Sequence, residues 1–142
     1  MNLDFDFFIP DENAQKEIAE KLDFDYNLGS QDWEYEVSHI KTIEEYIHLY
    51  EQENTSKKAK SSLLEMIIDS IEDYLNDLNI TKEDKRFTLH LKFIEKSIKN
   101  NLDLHKGTLV YWIQGDWKIS DYLVTIVEKL NLEDKIRWRP YK

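Results

Sequence analysis

The sequence predicts an α+β fold. We expect one domain over residues 1–142, a small mixed or antiparallel sheet of about four strands, and a layer of about five helices, in the order β-α-β-α-α-α-β-α-β. Three observations predict it. Short segments such as LDFDF (3–7), DWEYEV (32–37) and IRWRPY (136–141) alternate apolar or aromatic residues with charged ones, the period of a half-buried strand. Longer segments between them repeat apolar residues at helical spacing. The chain is 41% hydrophobic and 13% aromatic with only 3 Gly and 2 Pro, enough to build a core joined by short connections.

Residues 3–9 read as the first strand, with Leu3, Phe5, Phe7 and Ile9 on one side and Pro10 ending it. DENAQKEIAEKL (11–22) reads as a helix, acidic in its first turn, with Ala14, Ile18 and Leu22 on one face. LDFDY (22–26) suits either an extension of that helix or a short strand. NLGS (27–30) is a turn, and DWEYEV follows as the second strand, rings on one side and acids on the other. Thr42 and Glu45 form a capping-box pattern ahead of Ile43, Tyr46, Ile47 and Tyr50.

SSLLEMIIDSIEDYLNDL (61–78) is the clearest helix, with Leu64, Ile67, Ile68, Ile71, Leu75 and Leu78 in register. Thr81 is placed to cap a helix carrying Phe87, Leu91, Ile94 and Ile98, and NNLDLHKG (100–107) reads as a loop. TLVYWI (108–113), apolar on both parities, reads as a central strand. After the QGD turn, Ser120 is placed to cap a helix with Tyr122, Leu123, Ile126, Val127 and Leu130, and IRWRPY closes the chain as a basic strand.

The net charge of −10 is unevenly distributed. Residues 1–80 hold 20 acids and 6 bases, and residues 81–142 hold 9 acids and 13 bases. Phosphates are repelled by the first part, which makes direct nucleic-acid binding a poor reading, while a basic protein suits it. Two acidic groupings are candidate partner-binding surfaces. Asp32, Glu34 and Glu36 share one parity of DWEYEV, and Glu65, Asp69, Asp73 and Asp77 stand four apart on the long helix, with Glu72 beside them. Like charges at that spacing destabilise a helix by about 0.2–0.5 kcal/mol per pair, so the row calls for a reason. Either a partner answers it, or the molecule does so itself: Arg137 and Arg139 could pair with the strand acids, and Lys92, Lys96 and Lys99 could face the stripe. Trp117, just after a turn in GDWK, is the candidate aromatic anchor.

Signals for chemistry are few, and the expectation is a non-enzyme with no cofactor and no metal. The chain holds no Cys, no P-loop, no Gly-rich dinucleotide turn, no GxSxG and no HExxH. Glu36–His39 and Glu45–His48 match the Glu-x-x-His spacing of di-iron bundles, but they stand too close together for two helices of one. The N-terminus lacks the basic and apolar regions of a signal peptide, and no apolar run approaches a membrane span, so a cytoplasmic, membrane-free protein is expected. The abundance of Asn, Ile and Lys suggests an AT-rich bacterial genome.

Small, acidic, cysteine-free, α+β and without an export signal, the chain resembles the immunity proteins that bacteria pair with polymorphic or contact-dependent toxins. The resemblance is one of general character and rests on no motif. It implies a protein that binds a cognate toxin domain, often a basic nuclease, and blocks it with acids and aromatics. Three alternatives differ in what they require. A nucleic-acid mimic inhibiting a DNA-binding protein needs regularly spaced carboxylates along a surface. An enzyme needs a pocket of convergent acids with perturbed pKa values. A structural homodimer subunit needs an exposed apolar patch.

Overall fold

The computed structural model describes residues 8–78 and 84–136. Seven helices make up its regular structure: α1 (Glu12–Lys21), α2 (Trp33–Val37), α3 (Ile43–Tyr50), α4 (Lys57–Leu78), α5 (Lys85–Asn100), α6 (Leu102–Gln114) and α7 (Lys118–Lys129). No strand occurs among the described residues, so the expected α+β class is corrected to all-α. The five expected helices form as α1, α3, α4, α5 and α7; both internal segments read as strands are helices.

Each correction has a physical cause. In DWEYEV the alternation is too short to separate a strand from one helical turn, because Trp33 and Val37 share a parity and also lie i, i+4 on one helix face. Both are fully buried on α2. TLVYWI is the second half of α6, which starts at Leu102 inside the expected loop. It is apolar on nearly every side because it is enclosed on nearly every side, with Thr108, Leu109, Val110, Trp112 and Ile113 buried and only Tyr111 of the segment exposed. LDFDY continues neither as helix nor as strand. Asp23 adopts a left-handed φ of 57°, Phe24 N donates to Ala19 O and Asp23 N to Glu20 O, which together end α1 in a Schellman motif. The strands expected at 3–9 and 136–141 lie almost entirely outside the described residues, as do the Thr81 cap, Arg137 and Arg139.

The fold divides into two compact units, Ile9–Ile71 and a second that takes the chain from Glu72 onward. In the first, Asp11 caps α1 through Ala14 N, and Thr42 and Glu45 form the expected capping box of α3. Its core gathers Ile18, Trp33, Val37 and Tyr46 with the first part of α4, where every residue from Ser62 to Ile68 is buried. Gln15, fully buried, links α1 to the following turn, accepting from Gly29 N at 2.7 Å and donating to Ser30 O at 3.3 Å. Gly29 needs its freedom there, at φ 85°.

In the second unit α6 packs on α5 and α7. Asp84 caps α5 through Arg86 N and Phe87 N. Helix α7 begins at Lys118, ahead of the expected Ser120 cap, so Ser120 instead sits in its first turn and donates to Trp112 O at 2.6 Å. The helix ends, like α1, in a Schellman motif: Asn131 at φ 56°, with Leu132 N donating to Val127 O.

Candidate functional site

The acids of α4 are enclosed to different degrees. Glu65 is fully buried and its Oε1 accepts from Tyr35 Oη at 2.7 Å. Asp69 is half-buried and accepts from Ser38 Oγ at 2.7 Å. One residue on, Ser70 Oγ donates to Ser38 O at 2.7 Å. The end of α2 is thus clasped to α4 by hydroxyls that hydrate these carboxylates from within the first unit. Glu72 is buried in the second unit, where Oε1 accepts from Ile119 N at 2.8 Å and Oε2 from Lys118 N at 3.1 Å and Asn76 Nδ2 at 3.0 Å. A carboxylate at a helix N-terminus meets both orphan N–H groups and the positive end of the dipole. Asp73 is half-buried, and the side chain of Asp77 lies outside the described residues.

DWEYEV divides differently from its sequence parity. Asp32 and Glu36 are exposed, whereas Glu34 enters the core with Trp33 and Val37 and has no exposed surface. Burial raises the Glu34 carboxyl from 4.5 to about 7. Its own backbone N–H, the Ser62 hydroxyl and the Gln15 amide favour the ionised form and temper that rise, while the Glu65 charge adds to it. None of these neighbours makes a well-formed hydrogen bond to either Glu34 oxygen.

The exposed acids cluster around the α1–α2 connection. Glu20, Asp23, Asp25, Asp32 and Glu36 are all exposed, together with Tyr26 and Leu28. Phe24, between Asp23 and Asp25, stacks on Trp33, the residue after Asp32, with ring centroids 6.0 Å apart. Within Ile9–Ile71 there are 15 acids and 6 bases, whereas residues 72–142 carry 12 acids and 13 bases. The charge excess therefore belongs to the first unit. Asp23 and Asp25 were missed by the sequence reading; LDFDY carries the same acid–ring alternation as DWEYEV and could have flagged them.

Trp117 lies half-buried in the second unit, its ring 4.7 Å from that of Trp112 and 5.1 Å from that of Tyr111. The two Glu-x-x-His pairs are put to other uses. Glu36 and His39 are exposed, Glu45 serves the α3 capping box, and exposed His48 contacts Gln52 at 3.1 Å. Among the described residues no three His, Asp or Glu side chains converge as metal ligands. No helix among them is long and apolar enough to cross a membrane. Comparison with protein-family models, curated proteins and solved structures found no match to this chain.

Proposed function

We propose that this chain is a binding protein for a basic partner, and specifically an immunity protein that neutralises a cognate toxin domain. The carrying observation is the exposed set Asp23, Asp25, Asp32 and Glu36, which flanks the Phe24–Trp33 contact in the unit that holds the charge excess. Such a field speeds encounter with a basic protein, and Tyr26 and Leu28 beside it offer apolar surface to desolvate on docking. The binding face assigned here differs from the α4 row, because Glu65 and Glu72 are buried and already accept hydrogen bonds. Burial of Glu65 also takes one member of the evenly spaced row away from a surface that a nucleic-acid mimic would use. An acid–base role for Glu34 or Glu65 is disfavoured while α2 is seated, since both have 0% exposure.

The test is capture from lysate of the source strain with a salt gradient, followed by co-expression of the captured protein with this chain. One basic, toxic protein is expected, released by moderate salt and rendered harmless by wild type. Changing Asp23, Asp25 and Asp32 to Asn and Glu36 to Gln should weaken capture and protection together. Equal capture and protection by that variant would refute the assigned face. Toxicity left unrelieved by wild type would refute the immunity reading.

A further inference from the structure

Helix α2 is held in place by its surroundings. Its 5 residues fall far below the ~12–15 that an isolated helix needs in water, and Asp32 provides no side-chain cap. Contacts retain it: Trp33 and Val37 are fully buried, Tyr46 Oη donates to Val37 O at 2.8 Å, and Tyr35 and Ser38 donate to Glu65 and Asp69. Glu34 is the discordant member. It goes inside with Trp33 and Val37, and neither of its buried oxygens has a well-formed hydrogen bond among the described residues.

The groups facing Glu34 are Gln15 from α1 and Ser62 and Glu65 from α4. Two are neutral and the third is an acid, so none offers a compensating positive charge. An ionised Glu34 would be desolvated, under-bonded and repelled by Glu65. A protonated Glu34 avoids the charge penalty and has a proton to donate.

We infer that Glu34 is a proton-operated latch: protonated, it holds α2 firmly seated against α1 and α4, and ionised, it loosens α2, so that openings that uncover Trp33 and free the Tyr35 and Ser38 hydroxyls become more frequent. The latch needs no partner, but its release would part Phe24 from Trp33 and move Asp32 and Glu36, so it bears on the proposed binding face. Its direction follows from linkage. Burial raises Glu34 from 4.5 to about 7, and release of α2 returns it to the ordinary value. Seating is therefore strongest below about 4.5, weakens as pH rises between the two values, and levels off above about 7.

Amide hydrogen exchange on the full chain between pH 5 and 8, corrected for the intrinsic rate at each pH, tests this. Protection of the amides from Trp33 to Ser38 is expected to fall on the order of 100-fold across that range in wild type. In Glu34→Gln, which keeps the shape and stays neutral, it should change by less than about threefold. A flat wild-type profile, or the same fall in Glu34→Gln, would overturn the latch. Should that variant fail to fold, Glu65→Gln decides. Removing the repelling charge should move the midpoint of the fall to lower pH, and an unmoved or raised midpoint overturns the inference.

Discussion

Glu72 is the point at which one side chain organises a helix start, and its removal has a calculable effect. Its carboxylate accepts from Ile119 N at 2.8 Å and from Lys118 N at 3.1 Å. The Ile119 contact is buried, so its N–H would be left fully unsatisfied, while that of Lys118 is part-buried and water would meet some of its demand. An orphaned buried donor costs about 1–3 kcal/mol, which assigns about 2 to Ile119 and about 1 to Lys118. Glu72→Ala should therefore destabilise the protein by about 3 kcal/mol, a fall in melting temperature of about 12 °C for a chain of this size. Glu72→Gln keeps one acceptor oxygen and loses the charge, so about half that effect is expected. Thermal unfolding and urea titration give the free energy, and hydrogen exchange at the Ile119 amide gives its location. A Glu72→Ala protein within about 0.5 kcal/mol of wild type, the range of an ordinary surface substitution, with unchanged exchange at Ile119 would refute the assigned role.

Two further substitutions probe other contacts. Tyr35→Phe deletes the 2.7 Å hydrogen bond to buried Glu65 and should cost about 2 kcal/mol in urea unfolding; an unchanged midpoint would show that the clasp contributes nothing net. Gly115→Ala would set a Cβ into the Trp117 ring, which packs against Trp112 and Tyr111. That ring must move, so a loss of about 1–3 kcal/mol and an altered near-ultraviolet circular dichroism spectrum are expected; a native spectrum at native stability would contradict the close approach.

Local signals that depend on a residue's immediate neighbours were legible in the chain itself. Thr42 and Glu45 announce the start of α3 because a capping box needs only four residues of context. Helix α4 is written in its own apolar periodicity from Ser61 to Leu78, while its polar first turn, from Lys57, was not legible. The acid excess of residues 1–80 can be counted directly, but its boundary could not: the fold divides at Ile71, and 15 of those 20 acids fall within Ile9–Ile71. What the chain left ambiguous was any pattern whose meaning depends on what lies opposite. Alternation in DWEYEV and uniform apolarity in TLVYWI fit a strand or an enclosed helix equally well, and packing decided for helix.

The acids show the same division. Their spacing on α4 is a property of sequence, but whether a carboxylate meets solvent, a hydroxyl or a helix end is not. Only tertiary structure set Tyr35 on Glu65, Ser38 on Asp69 and the α7 N-terminus on Glu72, making hydrogen-bond acceptors within the fold of three α4 acids that read as surface. It also carried Glu34 inward while leaving Asp32 and Glu36 in water. The physical reason is that like charge and spacing are set along the chain, whereas desolvation and hydrogen bonding are set by residues tens of positions away.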